Sequence, residues 1–252
     1  MTFNLKNKKI LITGASSGIG ARIAETLADA GAIVGIHYNK NKTVAEQIFE
    51  KLKNDECKAF LIHGDLLKIH VQKTLVDNFI NKAGGIDVLV NNAAAVFEYK
   101  DPLELSDDSL DKSISLNFKA PYYLSASAFE HMKRSGGGKI INISTAAVKY
   151  GGSLKGLHYA ASKAALESLT RGFSREGARY NILVNSIRCG LIETDMRKKI
   201  KGYSEKRFKE RIKMIPLGHP GKTSDIADMV LFLCSSSGNF ITGDIITIAG
   251  GD

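Results

Sequence analysis

Short apolar runs alternate along the chain with longer stretches in which apolar residues recur every three or four positions. The runs at residues 9–13, 32–38, 58–63, 88–91, 139–144, 182–187 and 245–249 read as strands. Several of them (ILIT, IINI, IITI) are apolar on both faces, which suits parallel strands covered by helices on either side. The stretches at 19–30, 43–54, 69–82, 107–134, 160–180 and 224–233 carry the helical period. This rhythm predicts an α/β fold: one doubly wound parallel sheet with helices on both faces and right-handed crossovers. No repeat, low-complexity tract or proline-rich linker divides the chain, so residues 1–252 are expected to form one domain. The least regular part is 190–221, and 191–215 is the candidate substrate lid.

Composition narrows the setting. An apolar fraction of 44% and a charged fraction of 24% belong to an ordinary globular protein able to bury a sizeable core. No run approaches the ~20 apolar residues of a membrane span, and the first ten residues lack the apolar centre of a secretory signal. Cys57, Cys189 and Cys234 are odd in number and show no C-x-x-C spacing, which predicts neither a disulfide framework nor a zinc site. A cytoplasmic protein without a metal is the expectation. The net charge of +9 is concentrated, because nine basic and two acidic residues between 196 and 213 supply +7 of it. That segment reads either as a solvated helix face or as a cationic lid steering an acidic substrate. It has no aromatic stacking motif beyond Tyr203 and Phe208, which argues against nucleic acid.

In doubly wound sheets a ligand binds beyond the carboxyl ends of the strands, so the residues just after each strand are the informative ones. The first strand runs into Thr13-Gly14-Ala15-Ser16-Ser17-Gly18-Ile19-Gly20 and then a helix. Glycines there permit a tight turn and let backbone N–H groups approach a pyrophosphate at the positive helix end. Within the first βαβ unit this pattern points to a Rossmann-type dinucleotide site.

The T-G-x-x-x-G-x-G spacing resembles that of the short-chain dehydrogenase/reductase family, and the resemblance continues along nearly the whole chain. Gly64-Asp65-Leu66 sits where the family sets an acidic residue against the adenine. Asn91-Asn92-Ala93-Ala94 matches the family's N-N-A-G except at Ala94. Asn185 and Gly190-Leu191-Ile192-Glu193-Thr194 are similar to N-x-x-x-P-G-x-I-x-T, with Cys189 in place of the proline. That change removes a rigid φ and predicts a looser loop. The resemblance implies that Ile192 and Thr194 hold the carboxamide and pyrophosphate. It also implies a dinucleotide site built on Gly14, Ser16, Ser17, Gly18, Ile19, Gly20, Asn91, Ala93 and Gly190. The tail (Pro216-Leu217-Gly218, Ile241-Thr242-Gly243, Gly250-Gly251) follows the family too.

The second strand ends Tyr38-Asn39-Lys40-Asn41-Lys42, with no acid until Glu46. An NAD site usually places an Asp or Glu here for the ribose 2′-hydroxyl. Nothing in this stretch repels a 2′-phosphate, and Asn39, Lys40 or Lys42 can bind one, so NADP(H) is favoured over NAD(H).

Tyr159-Ala160-Ala161-Ser162-Lys163 carries the candidate chemistry, because positions i and i+4 share a helix face. A free phenol has a pKa of about 10, and a nearby cation is expected to stabilise the phenolate and make the proton transferable. The family also uses a hydroxyl after the fifth strand to polarise the substrate carbonyl. Here that is Ser144 by residue type or Thr145 by register, and both stand as candidates. Asn117 matches a family asparagine that interrupts its helix and holds a water near the lysine.

The compact length and the tail look like 3-oxoacyl-acyl-carrier-protein reductases, which implies a small or carrier-bound carbonyl substrate. Lys133, Arg134, Arg171 and Arg175 are the candidate contacts for an acidic carrier. Sugar, polyol and other small-alcohol dehydrogenases of the same family are the alternative. A dinucleotide sensor without catalysis is a third reading, opposed by the presence of Tyr159, Lys163 and Asn117. The resemblance further implies pairing through the helical stretches 107–134 and 160–180 into a homotetramer or homodimer.

Overall fold

Seven strands, β1 (Lys9–Ile12), β2 (Ile33–Tyr38), β3 (Ala59–His63), β4 (Val88–Asn91), β5 (Gly138–Thr145), β6 (Ile182–Cys189) and β7 (Ile245–Ile248), lie in one sheet. All pairings are parallel, and the spatial order is β3-β2-β1-β4-β5-β6-β7. The computed structural model describes residues 3–53, 58–194 and 204–252.

Alternation along the strands sends side chains into two cores, one on each face. On one face Ile10 and Ile12 pack with Ile23 and Leu27 of helix α1 (Gly18–Asp29) and Ile226 and Val230 of α8 (Thr223–Cys234). On the other, Leu11 packs with Leu75 and Phe79 of α3 (Ile69–Ala83) and Leu124 of α5 (Ala120–Arg134). Each such fully buried side chain contributes about 2 kcal/mol from withdrawal from water. Strands buried on both sides need this continuous apolarity, which is why the runs were easy to recognise.

Several elements differ from the sequence expectation. The helix expected over 107–134 is α4 (Asp107–Ile114), a π-helical turn (Ser115–Lys119) and then α5. Asn117 sits in that turn, fully buried, and its side chain is drawn out of the helix axis by partners elsewhere in the fold. Strand β6 runs two residues further than expected, and Cys189 stays in register with Thr145 and Ile248. The residue in the proline position therefore does not begin a loose loop. Finally, the stretch expected to be irregular contains helix α7 (Glu205–Lys213). The remaining helices are α2 (Lys42–Leu52) and α6 (Leu157–Gly177), the latter starting a turn earlier than its pattern suggested.

Candidate active site

Strand order reverses between β1 and β4, and the loops after these two strands are knitted together there. The Thr13 hydroxyl oxygen accepts from the Asn92 and Ala93 N–H groups, both at 3.0 Å. The Asn92 amide donates to the carbonyls of Thr13 (2.9 Å) and Gly14 (3.2 Å). Two short loops thus become one rigid rim.

The turn after β1 fits a dinucleotide's pyrophosphate. Gly14 has φ +64°, and a Cβ there would lie 3.0 Å from the Ala93 Cα. A Cβ on Gly20 would meet the Gly14 carbonyl oxygen at 2.4 Å, so only glycine lets α1 start this close to the strand end. Ser17, the N-cap of α1, is extended and makes no side-chain cap bond, and the first turn holds no acidic residue. The helix therefore offers its positive end and unsatisfied N–H groups to an anion. Ser16 is buried, Ser17 exposed and Ile19 half-buried on this turn. Thr194 arrives opposite, its methyl 3.5 Å from where a Gly18 Cβ would be. The segment from Gly190 that carries it is pinned by Gly190 N–H to the Ile248 carbonyl (2.8 Å) and by a bridge between Ile192 and Gly221.

At the ends of β2 and β3, the Asn39 amide donates to Asp65 at 3.2 Å, and the Leu67 N–H donates to the same carboxylate oxygen at 3.1 Å. Leu66 is buried beneath them. Lys40 is exposed and has no ion-pair partner among the described residues, whereas Lys42 pairs with Glu46 at 3.6 Å. Asn91 is a different case. Its amide donates to Ser125 (3.0 Å) and Asn142 (2.8 Å), so its side chain braces β4 against β5 and α5 and faces the interior.

Across the rim, β5 and α6 bring Tyr159, Lys163, Ser144 and Thr145 together. The Lys163 ammonium is almost fully buried and donates to the Ile143 carbonyl at 2.7 Å. Neighbouring residues of a strand point to opposite faces, and this separates the two hydroxyl candidates. Ser144 is buried, and its hydroxyl donates to Glu167 at 2.7 Å. Thr145 is half-buried at the strand end, and its oxygen accepts from the Ala147 N–H at 3.3 Å, its own proton going to no partner among the described residues. Asn117 bonds the Ala95 backbone through both amide atoms (3.1 Å each) and donates to Ser162 at 3.2 Å. Its side chain thus ties the loop after β4 to α6.

Burial governs the electrostatics. It raises the Tyr159 phenol above its ordinary value, and the Cys189 thiol adds to the rise. It brings Lys163 down to about 8, partly opposed by Cys189, and pushes the Cys189 thiol up to about 12. From the i, i+4 spacing the Lys163 cation is expected to stabilise the phenolate. In the protein by itself desolvation raises the phenol instead, and no lowering by Lys163 accompanies it.

Two charged residues escaped the sequence reading. Glu167 is 2% exposed and receives both Arg188 Nε (2.8 Å) and Nη2 (2.6 Å) besides Ser144. Glu167 lies four residues after Lys163 on the same helix face, and a charge on a buried face was the available signal. Of the basic segment, Arg197, Lys198, Lys199 and Lys201 lie outside the described residues, as do Tyr203 and Cys57. Lys206, Lys209 and Lys213 on α7 are exposed, while Arg211 bonds the Tyr150 hydroxyl (2.8 Å) and the Asp252 carboxylate.

A cradle for phosphates at the reversal point of a parallel sheet, faced by a half-buried phenol and a buried ammonium one helical turn apart, defines a Rossmann-type oxidoreductase. Comparison with known proteins agrees. Residues 14–252 match the family described as Enoyl-(Acyl carrier protein) reductase. The 3-oxoacyl-[acyl-carrier-protein] reductase FabG of Aquifex aeolicus (strain VF5) is 34% identical over 256 residues, spanning 100% of this chain and 99% of that protein. The 2-dehydro-3-deoxy-D-gluconate 5-dehydrogenase of Escherichia coli (strain K12) is 34% identical over 99% of this chain and 96% of its own length. Among solved structures, a blue fluorescent protein from a metagenomic library in complex with NADPH superposes with a TM-score of 0.91 at 34% identity, covering 98% of each chain. The chain belongs to the short-chain dehydrogenase/reductase family and is an oxidoreductase of carbonyl and alcohol groups.

Proposed function

We propose that the chain is an NADP(H)-dependent reductase of a carbonyl substrate, with Tyr159 as the proton donor. The observation that carries this is the Tyr159–Lys163 pair on α6, a half-buried phenol and a buried lysine held to the Ile143 carbonyl near Thr145. The dinucleotide supplies the hydride. Gly14, Ser16, Ser17, Gly18, Ile19, Gly20 and Thr194 cradle its pyrophosphate, Asp65 and Leu66 flank the adenine, and Ala93, Gly190 and Ile192 line the path toward the carboxamide. Asn91 supports this site through its backbone alone, since its side chain is spent on Ser125 and Asn142.

Thr145 donates its free proton to the substrate oxygen and so polarises the carbonyl; Ser144 serves Glu167 instead. Tyr159, a phenol and so protonated at neutral pH, then gives its proton to the same oxygen as charge develops there. Lys163 orients the phenol and the ribose, and Asn117 keeps the loop after β4 against α6. Asn39 and the exposed Lys40 receive the 2′-phosphate, and the NADPH-bound neighbour supports that preference.

The substrate we favour is a 3-oxoacyl thioester, in line with the Aquifex relative. The equally similar Escherichia coli enzyme makes a keto sugar acid the second reading. Exposed apolar side chains on α4 and α5, Leu110 and Tyr122, support self-association through these helices into a dimer or tetramer. No described helix is long and apolar enough to cross a membrane, and the free, buried Cys189 and Cys234 suit the reducing cytoplasm.

The test follows NADPH oxidation with a 3-oxoacyl thioester and, in the opposite direction, NADP+ reduction with 2-dehydro-3-deoxy-D-gluconate, whose C5 hydroxyl a 5-dehydrogenase oxidises. Turnover of the thioester alone supports the first reading, and turnover of the sugar acid alone the second. Tyr159→Phe should lower turnover by roughly 10²–10⁴-fold while dinucleotide affinity stays within about threefold. Substantial residual turnover would overturn the proton-donor role.

A further inference from the structure

We propose that His37, in the middle of no recognised motif, is a positioning residue that locks together the two loops serving the adenosine half of the dinucleotide. It lies on β2 and is 2% exposed. Its Nδ1 accepts the Gly14 N–H at 3.0 Å, and its Nε2 is 3.1 Å from the Gly64 carbonyl oxygen. A backbone N–H can only donate and a carbonyl can only accept. The ring is therefore the neutral tautomer with its hydrogen on Nε2, and both nitrogens are used.

The backbone repeats the link. The His37 carbonyl accepts the Ala15 N–H at 2.9 Å, and the adjoining Tyr38 carbonyl accepts the Gly64 N–H at 3.0 Å. Two consecutive residues of one strand thus hold both the phosphate turn at Gly14–Ala15 and the adenine turn at Gly64–Asp65. Gly64 has no room to retreat, because a Cβ there would meet Val71 at 2.6 Å and Leu75 at 3.0 Å. An imidazole spans this gap with one acceptor and one donor in line; an aliphatic side chain would leave the Gly14 N–H and the Gly64 carbonyl facing nothing.

Protonation would turn Nδ1 into a second donor aimed at the Gly14 N–H. Burial opposes this and lowers the ring's pKa to about 4, helped by His63 and countered by the Gly64 carbonyl and Asp65. The strut therefore stays neutral through the ordinary working range of pH.

This inference rests on the reading of the rim as a dinucleotide site, and the experiment separates the two. Calorimetry on the full chain would give affinities for NADPH, for ADP-ribose, which represents the adenosine half, and for nicotinamide mononucleotide. Wild type, His37→Leu and His37→Gln are compared, with kcat at saturating NADPH. The Leu variant is expected to bind NADPH and ADP-ribose at least tenfold more weakly, nicotinamide mononucleotide within twofold of wild type, and to lose far less in kcat than in affinity. The Gln variant, which keeps one acceptor and one donor, should recover most of the ADP-ribose affinity. Unchanged ADP-ribose affinity in the folded Leu variant, a Gln variant no better than Leu, or equal weakening of both halves overturns the role of His37 alone. Failure of wild type to bind NADPH or ADP-ribose overturns the dinucleotide site and the inference with it.

Discussion

The Lys163 ammonium donates to the Ile143 carbonyl at 2.7 Å, and this bond joins the catalytic helix to the strand that presents Thr145. The ammonium is buried almost completely, and its pKa falls from the ordinary lysine value of 10.5 to about 8. A group whose pKa is lower folded than unfolded adds stability above the unfolded value and loses it as pH falls toward the folded one. Wild type should accordingly gain on Lys163→Met between pH 8 and 10.5, by on the order of 3 kcal/mol. Denaturant titrations of both proteins across that range would show it. A constant difference would mean the amine is not held charged in a desolvated place.

Thr145 and Ser144 separate cleanly by substitution. Thr145→Ala removes the hydroxyl whose proton is free, and loss of one such donor typically costs about 10²–10³-fold in kcat. Thr145→Ser should restore most of it. Ser144→Ala removes a buried bond to Glu167 and should instead cost about 1 kcal/mol of stability, with a far smaller effect on kcat. The reverse ranking in steady-state assays would reassign the polarising group.

The Glu167–Arg188 pair is bidentate and reaches water only at its arginine end, since Arg188 keeps 21% side-chain exposure while Glu167 keeps 2%. Glu167→Ala strands the guanidinium beside an unfilled site and should destabilise by about 3 kcal/mol, the low end for breaking a buried pair. Replacing both partners, Glu167→Leu with Arg188→Met, should return much of that loss. Equal thermal stability of the single variant and wild type would show the pair to be idle.

Cofactor preference is expected to turn on the end of β2. Asn39→Asp puts a carboxylate where a ribose 2′-phosphate is expected to rest, next to Asp65. NADPH affinity should fall at least tenfold while NADH affinity holds or improves. Parallel titrations that move together would remove Asn39 from the determinants of preference.

Local pattern carried much of this architecture. Strands buried on both faces must be apolar throughout, so their runs stand out, and a turn that needs left-handed backbone must be written in glycine, as at Gly14. What stayed hidden depends on contacts distant along the chain. The helical period runs unbroken past Asn117, and only the family resemblance implied an interruption there; the π turn follows from its bonds to Ala95 and Ser162. Ser144 and Thr145 are chemically interchangeable as read, and Glu167, twenty-three residues on, distinguishes them by claiming one hydroxyl. The extension of β6 through Cys189 is imposed by its neighbours β5 and β7 rather than by its own residues. The phenol's raised pKa likewise reflects burial that composition cannot express.

Because the order of strands reverses between β1 and β4, each residue proposed for chemistry or dinucleotide binding gathers at one rim, and the turns that feed chain into the strands form the other. At that far rim Gly136 is exposed, with a left-handed φ of +88°, and open space where a side chain would begin. A fluorescent domain or affinity handle grafted into this turn would sit a full sheet's depth from the cleft. The molecule thus comes with an attachment point for surface immobilisation that leaves the working mouth pointing outward.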